Sequence, residues 1–384
     1  MQPDIRAPFK MGLNRELEGL LVVSMDQAVA APYCALMLAD AGARVIKVER
    51  IEGDFARGYD NGADGKSSFF AWLNRGKESV SIDLNRAEDA TLLRNMVMQA
   101  DVFLHNLAPG ALAKRGFESE LLRGENPKLI TCEITGYGST GQAAKKKAYD
   151  FLVQAESGIC AVSGTEADPA RVGISICDIS SGLTAFSAIL RALIQRGRTG
   201  QGIDISISMF DVMADFMNFP LLAHRYLGRA PARMGLTHAL IAPYGAYLTL
   251  DGHQVLIAIQ SEREWRIFCE SVLGQSELAE DERFINNSAR VSHRDEMDAA
   301  INAVFGQINQ EDLVELLDSA RIANGRLSSV EDLSNHEFLK KQTVTYGGTA
   351  VELAALPVSV DSDRPVEVPT LNQHGDRIRQ EFQG

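Results

Sequence analysis

A regular alternation of strand and helix patterns over residues 20–207 is the feature that most constrains the fold. Residues 20–25 form a short β-type run, residues 28–41 a small-residue helical pattern ending at Gly42, and residues 44–50 the next strand. A strand, a helix and a second strand within about thirty residues make a βαβ unit, which pairs its strands in parallel. Further strand patterns lie at 79–84, 102–104, 129–134 and 203–207. The sequence therefore predicts an open α/β sheet.

The pattern changes after residue 208. A helix at 209–226 leads into a basic loop, and two β-type runs at 244–250 and 254–259 flank Asp251-Gly252, a hairpin signal. Charged helical segments then continue to about residue 320. We predict three segments, which are a large α/β domain at 1–215, a smaller α+β domain at 226–325, and a C-terminal return to the large domain at 330–384.

Composition narrows the class of protein. The net charge of −13 disfavours a nucleic-acid partner. The five cysteines are widely spaced without a CxxC pair, which favours reduced thiols and no metal site. The N-terminal residues MQPDIRAPFK contain no apolar signal region, and no apolar run approaches the length that spans a bilayer. We expect a cytoplasmic protein without a membrane partner.

Asp178 lies in the stretch GISICDISSG at 173–182, between an apolar run and a helical pattern at 182–196. A carboxylate at such a turn is either a helix N-cap or a nucleophile, and for an isolated Asp the N-cap is the more common role. Asp150, at the start of another helical pattern, is a second candidate acid. No nucleophile elbow and no HExxH motif is present.

Two further motifs suggest a ligand. Residues 136–141 (GYGSTG) match GxGxxG after a strand, with Glu156 as the conceivable ribose-binding acid, but QAAKKK follows where an apolar helix face is needed. We therefore favour a glycine turn over a dinucleotide site. Basic residues cluster at 145–147 and near strand ends, which suggests a phosphate-bearing ligand. The strand-end residues are Arg50, Arg57, Arg75, Lys77 and Lys114.

Longer segments carry a family resemblance. They include VAAPYCALMLADAGARVIKVER (29–50), GDFARG (53–58), WLNRGKESVSIDL (72–84), HNLAPGALAKRGF (105–117), KAYDFLVQAESG (147–158) and CDISSGLTAF (177–186). With these segments the chain resembles the class III CoA-transferases (CaiB/BaiF, formyl-CoA transferase-like). Three segments are most similar in sequence to the family members that use C4–C5 dicarboxylates. They are GDFARGYD, NLAPGALAKRG and THALIAPYGAY.

The resemblance implies a site and an assembly. Its nucleophilic aspartate falls on Asp178, and its large domain is Rossmann-like but holds coenzyme A without a dinucleotide. The CoA-contacting positions are Val29, Ala30, Arg50, Leu73, Lys77, Asn106, Lys114, Lys147, Tyr149 and Met209. No cofactor is permanently bound, because CoA and acyl-CoA are substrates. The family also implies an interlocked homodimer with both termini of each chain in the large domain.

The implied reaction moves CoA from an acyl-CoA, succinyl-CoA being the expected donor, to itaconate, mesaconate, citramalate or succinate. Asp178 forms first a mixed anhydride and then an aspartyl-CoA thioester. Backbone amides at 179–181 are the expected oxyanion donors, the helix dipole is expected to keep Asp178 ionised, and Lys77 and Lys147 are expected to bind CoA phosphates. The distal carboxylate of the acid needs a cation, with candidates Arg75, Arg171, Arg225, Arg233 and His238.

The sequence departs from the family pattern at three places, and three other functions are compatible with it. A family glutamine aligns with Val29, with Gln27 two residues away, a tetraglycine loop is absent, and a family arginine appears as Lys114. One alternative is an α-methylacyl-CoA racemase, in which Asp150 would exchange the α-proton. The others are a dinucleotide-dependent oxidoreductase using residues 136–141 and a non-catalytic CoA-binding subunit.

Overall fold

A computed structural model describes residues 15–358 and 366–383, so predictions for 1–14, 359–365 and 384 lie outside the described residues. The strands are β1 Leu21–Met25, β2 Arg44–Glu49, β3 Glu78–Ser81, β4 Val102–His105, β5 Ile130–Thr135, β6 Asp204–Ser208, β7 Tyr244–Leu248, β8 Gln254–Ala258, β9 Asn324–Arg326, β10 Lys341–Tyr346, β11 Thr349–Ala354 and β12 Val366–Val368.

The α-helices alternate with the strands in the first half of the chain and cluster in the second. They are α1 Ala30–Asp40, α2 Ser68–Asn74, α3 Ala87–Gln99, α4 Ser119–Glu125, α5 Asp150–Glu156, α6 Ile159–Val162, α7 Ile176–Thr199, α8 Met209–Phe216, α9 Asn218–Leu227, α10 Glu262–Ile267, α11 Asn287–Ser292, α12 Arg294–Phe305, α13 Gln310–Ser319, α14 Val330–Ser334 and α15 Gly375–Phe382.

The described chain divides into two compact units. The first contains residues 15–159, 171–218 and the described part of 340–383, and the second contains 160–170 and 219–339. The segment 160–170 was not part of the smaller domain that we expected from the sequence. The C-terminal segment lies in the first unit.

A six-stranded sheet of order β3-β2-β1-β4-β5-β6 forms the centre of the first unit, and all its neighbouring strands are parallel. The strand order reverses between β1 and β4, which pair with Met25 opposite His105. In open α/β sheets ligands bind outside the carboxyl ends of the strands at this reversal. The sheet therefore confirms the predicted open α/β class and indicates where its site lies.

Helices cover both faces of this sheet. Helices α1 and α7 pack on one face in a core with Cys34, Ala185 and Ile189. Helices α3 and α15 cover the other face, and Ile378 of α15 is buried there. Since α1 and α7 each connect parallel strands, both run antiparallel to the strands and begin at the carboxyl edge of the sheet.

The second unit has its own core and an antiparallel sheet of order β7-β8-β9. Trp265, Phe268 and Phe305 are fully buried among its helices. Strands β7 and β8 form the hairpin that Asp251-Gly252 predicted. The expectation of a smaller α+β domain is thus confirmed.

Helix α7 differs from its prediction in two ways. It begins at Ile176 rather than Gly182 and has 24 residues, so Asp178 lies inside its first turn. By length and hydropathy alone this helix could also cross a membrane, which the sequence-based search for apolar runs missed. In the described part of the chain its Cys177, Ala185 and Ile189 are buried in the core on α1, as in a core helix of a globular unit.

Candidate active site

Asp178 is the third residue of α7, at the edge of the sheet where ligands are expected. The chain near Gly182 is packed against the start of α1. A Cβ atom at Gly182 would lie 2.5 Å from the carbonyl oxygen of Ala30 and 3.1 Å from Cβ of Tyr33. Residues four apart share a helix face, so Asp178 lies on the face of α7 that packs on α1, about 6 Å from that contact toward the start of α7.

The Asp178 carboxylate is partly buried and unpaired. Among the residues that the structure describes, none forms a hydrogen bond or an ion pair with it. Burial raises the pKa of Asp178 to about 7, and the negative charge of Asp150 contributes in the same direction. The expectation that Asp178 is ionised is therefore met only in part, because a carboxylate with this pKa is partly protonated at neutral pH.

Asp150 caps the start of α7 from a different helix. Its Oδ1 accepts hydrogen bonds from the backbone N–H groups of Cys177 at 2.8 Å and Asp178 at 3.2 Å. Its Oδ2 accepts from Nε2 of Gln154 at 2.7 Å. The helix-cap role considered for Asp178 thus belongs to Asp150, and Asp178 is left free of that contact.

The predicted oxyanion donors at 179–181 are not available. The Ile179 N–H donates to the Ser175 carbonyl at 2.9 Å, and Ser180 and Ser181 lie inside the helix, where N–H groups bond within the helix. The N–H groups of Ala30 and Ala31 in the first turn of α1, in contrast, have no acceptor among the described residues, as expected for a helix start, whereas Pro32 has no N–H and Tyr33 donates to the Val29 carbonyl. These amides face the same edge as Asp178.

The turn between β1 and α1 is held from two sides. Asn106, just after β4, accepts from the Gln27 N–H at 3.0 Å and donates to the Gln27 carbonyl at 2.9 Å. Asp54 accepts from the Ala28 N–H at 3.3 Å, and Ala28 has a φ of 60°, in the left-handed region. Asn106, expected to contact CoA, therefore has both its side-chain polar atoms committed to the backbone across the strand-order reversal.

Lys77 does not have the predicted role of a phosphate ligand. Its side chain is fully buried, and its ammonium group donates to Asp26 Oδ2, the Pro32 carbonyl and Asn74 Oδ1, each at 3.0 Å. These three bonds use all the donors of a lysine. Burial lowers the pKa of Lys77 to about 8 in spite of its contact with Asp26.

Lys77 belongs to a buried network of ion pairs that the sequence did not reveal. Lys47 lies 2.5 Å from Asp26 and 2.9 Å from Asp54, and its side chain is fully buried. Glu49 accepts from Arg57 at 2.7 Å and is itself buried. We name the six groups Asp26, Lys47, Glu49, Asp54, Arg57 and Lys77 the buried ion network, in which three positive and three negative charges balance.

Two of the arginines near strand ends are structural. Arg57 is part of the buried ion network, and Arg75 is buried and pairs with Asp40 at 3.1 Å. Neither is free for a phosphate, and Arg75 is also excluded as the cation for a distal carboxylate. Of the original set, only Arg50 and Lys114 are exposed. Arg50 and Lys114 therefore remain the two members of this set that are free to contact a phosphate, and that role stays a prediction.

A cavity of about 370 Å³ lies at the carboxyl ends of β1, β2 and β3. Its lining includes Arg50, Asp83, Asn85 and Arg115. Arg115 donates to the Leu84 carbonyl and to Asn85 Oδ1. Sequence reasoning named its neighbour Lys114, which does not line the cavity, and missed Arg115, although both follow the same Pro-Gly turn.

The remaining predicted positions divide by exposure. Four of them have buried side chains, so a ligand could contact only their backbone atoms. These are Val29, Ala30, Leu73 and Met209. Lys147 and Tyr149 are exposed beside the start of α5, and Tyr149 is 70% exposed. These positions remain predictions as CoA contacts.

Residues 136–141 form turns rather than a dinucleotide loop. No α-helix opens after them, and the next regular element is a 3-10 turn at Ala143–Lys145. Glu156 pairs with Lys146, so it is not a free acid for a ribose. The choice of a glycine turn over a dinucleotide site agrees with this geometry.

The fold and site thus define a doubly wound α/β protein in which the partly buried carboxylate of Asp178, at the ligand-binding edge, has no partner among the described residues. The family model "CoA-transferase family III" matches residues 17–375, and the chain belongs to this family. It is 36% identical over 326 residues to a succinate–glutarate CoA-transferase of Agrobacterium fabrum, covering 83% of this chain and 81% of that protein. It is 33% identical to an acetyl-CoA:oxalate CoA-transferase of Acetobacter aceti, covering 95% of both.

A solved structure supports the same assignment. A CaiB/BaiF family protein from Brucella suis is 34% identical, with a TM-score of 0.83 over 96% of this chain and all of that chain. The resemblance stated from the sequence is therefore confirmed, and the protein is a CoA-transferase.

Proposed function

We propose that this CoA-transferase moves CoA from succinyl-CoA to a C4–C5 dicarboxylic acid, with Asp178 as the covalent nucleophile. The observation that carries the proposal is the Asp178 carboxylate, which has no partner among the described residues and lies one turn before the contact of Gly182 with the start of α1. Each Asp of the buried ion network is held in an ion pair, which would make its carboxylate a weak nucleophile.

The proposed reaction proceeds through two covalent intermediates. An Asp178 oxygen attacks the thioester carbonyl carbon, the carbon–sulfur bond breaks, and CoA leaves as a thiolate. The thiolate then attacks Cγ of Asp178 and releases the donor acid, which leaves an aspartyl-CoA thioester. The acceptor carboxylate attacks the same Cγ and expels the thiolate, which finally attacks the acceptor acyl carbon and frees Asp178.

The surroundings of Asp178 suit these steps. With a pKa of about 7, Asp178 is a stronger base than an ordinary carboxylate, yet a large fraction is ionised at neutral pH. The free first-turn amides of α1 are suited to stabilise the oxyanions that form at each attack. They replace the amides at 179–181 in our mechanism.

CoA is a substrate here, and its adenosine phosphates need cations. We propose that the cavity lined by Arg50 and Arg115 holds the nucleotide end, because it lies on the nucleotide-binding edge and presents two guanidinium groups. Lys114, Lys147 and Tyr149, all exposed, are proposed to contact the rest of CoA.

The proposed acceptor acids rest on the relatives and on the candidate cations for the distal carboxylate. The two relatives described above are named for glutarate and oxalate, both dicarboxylic acids. Among the five candidate cations, Arg75 is paired and Arg233 donates to the carbonyls of Thr165 and Glu166. Arg171 is exposed, and the next residue, Val172, is held by Gln154 at 2.8 Å, the side chain that also contacts Asp150. We propose that Arg171 binds the distal carboxylate.

Replacing Arg171 tests this assignment. We expect Arg171→Ala to raise KM for a dicarboxylate about tenfold or more, since a charge-assisted contact is lost, and to leave KM for a monocarboxylate unchanged. Arg225→Ala is the matched variant, because Arg225 is an exposed candidate on α9. Arg171 is the wrong residue if only Arg225→Ala shows the effect.

We also propose that two copies form the interlocked homodimer of the family. Leu183 and Ile194 of α7 are 49% and 60% exposed, and such apolar side chains on a long core helix are typical of a covered surface. Size-exclusion chromatography with light scattering is expected to give twice the chain mass, and a monomer would contradict this.

A cytoplasmic location also remains a proposal.

One panel tests the overall function. Succinyl-CoA is incubated with itaconate, mesaconate, citramalate, glutarate or oxalate, and new acyl-CoA species are measured by mass spectrometry. We expect transfer to at least one C4–C5 acid. Incorporation of α-deuterium from heavy water into an acyl-CoA without an acceptor acid would instead support the racemase that uses Asp150.

A further inference from the structure

Asp54 is a buried residue of the first unit that no step of the reaction uses. It is 5% exposed, so it cannot touch a substrate directly. Lys47 contacts its Oδ2 at 2.9 Å, which leaves Oδ1 directed at the backbone N–H groups of Ala28 and Ala56, at 3.3 and 3.0 Å. One carboxylate thus joins a buried lysine to the turn between β1 and α1.

That turn has an unfavourable backbone conformation. Ala28 has a φ of 60°, which a residue with a Cβ atom adopts at a cost that glycine does not have. The conformation persists only if its surroundings hold it. Asp54 does so at Ala28, and Asn106 holds the preceding residue, Gln27, through both its N–H and its carbonyl.

The turn leads directly into the part of α1 that faces Asp178. Val29 is the N-cap of α1, and Gly182, one turn after Asp178, packs against the Ala30 carbonyl. Burial first, and then the charges of Asp54 and Asp178, raise the pKa of Tyr59, so both carboxylates act on this one side chain. The conformation of Ala28 therefore sets where the first-turn amides of α1 lie relative to Asp178.

We propose that Asp54 is a positioning residue for the transferase reaction, which acts by holding Ala28 in the left-handed conformation and thereby orienting the start of α1 toward Asp178. The proposal rests on the proposed function of Asp178. The buried ion network then affects the rate of the reaction as well as the stability of the fold.

The test is a double-mutant cycle of Asp54→Ala and Ala28→Gly, measured as kcat and KM for CoA transfer. Asp54→Ala is expected to lower kcat about 10–100-fold, because a misplaced oxyanion donor costs that much, with KM for the acyl-CoA little changed. Ala28→Gly alone is expected to keep nearly the wild-type kcat. In the double variant glycine adopts the left-handed conformation unaided, so kcat is expected to recover about fivefold or more.

The control is Asp89→Ala, which removes another buried carboxylate of the first unit. Asp89 accepts from the Asp83 N–H at 2.7 Å and from Arg379, and it lies on α3, away from the turn. Its loss is expected to lower stability without lowering kcat per folded molecule. Equal kcat losses in Asp54→Ala and Asp89→Ala, or no recovery in the double variant, would overturn the positioning role while leaving Asp178 as the nucleophile. A wild-type protein without CoA transfer would overturn both.

Discussion

Asp26 and Asp178 lie at the same edge of the same sheet and have opposite electrostatics. Asp26 is fully buried, and contacts with Lys47 and Lys77 outweigh the opposing effect of burial, so its pKa falls to about 2. No cation of the described residues pairs with Asp178, and burial raises its pKa to about 7. A buried carboxylate that is paired serves the fold, while one left unpaired near the ligand edge is available for chemistry.

The buried ion network should be the more costly of the two to break. Lys47→Met removes the cation shared by Asp26 and Asp54, and we expect a loss of about 3–5 kcal/mol in the free energy of unfolding at pH 7. Chemical denaturation measures this loss. The matched variant is Lys341→Met, whose exposed pair with Glu352 is expected to contribute at most about 1 kcal/mol. Equal effects of the two variants would show that the network is not a structural unit.

Removing the charge of Asp178 should instead raise the free energy of unfolding, because this charge destabilises the folded state. The pKa is about 3.8 when unfolded and about 7 when folded, so ionisation costs stability progressively as the pH rises from 4 to 7. Asp178→Asn is therefore expected to be more stable than wild type above pH 7, by an amount below an upper limit of about 4 kcal/mol. The difference should vanish below pH 4. A variant that is less stable than wild type at pH 8 contradicts an unpaired Asp178.

The charge of Asp150 contributes to the raised pKa of Asp178, so removing that charge should lower this pKa. Asp150→Asn keeps an oxygen that can accept from the Cys177 and Asp178 N–H groups but removes the charge. If ionised Asp178 is the nucleophile, kcat/KM rises with pH through about 7, and we expect this midpoint to fall by about one pH unit in the variant.

The control for that shift is Asp211→Asn, an acid in the first turn of α8 that is not among the charges acting on Asp178. Its pH profile should match wild type. An unchanged midpoint in Asp150→Asn would assign the titration to a different group.

Local patterns predicted the fold well, because strand and helix periodicities are properties of neighbouring residues. The six strands of the parallel sheet and the β7–β8 hairpin all fall within a few residues of their sequence patterns. The start of α7 was placed late because Ile176 and Cys177 read as the end of an apolar run and Gly182 as a boundary. Only the packing of Gly182 on α1 explains that glycine.

Pairings between distant residues could not be predicted. Lys77 looked like a phosphate ligand because it lies near a strand end, but its partner Asp26 is 51 positions away and only the folded sheet brings them together. The same holds for Asp54 and Ala28, and for Asn106 and Gln27. Family resemblance predicted Asp178 as the nucleophile, whereas the structure adds that its carboxylate has no partner among the described residues and that Asp150 caps its helix.

The central claim is that Asp178 becomes acylated during turnover, and trapping it with hydroxylamine tests this most directly. The protein is incubated with succinyl-CoA and hydroxylamine, digested with trypsin, and analysed by mass spectrometry. The peptide from Val172 to Arg191 contains Asp178 as its single acidic residue, so a hydroxamate in this peptide identifies the site without ambiguity. We expect that modification in the wild-type protein and in Asp89→Ala. An unmodified peptide during active CoA transfer, together with full activity of Asp178→Ala, would contradict the account.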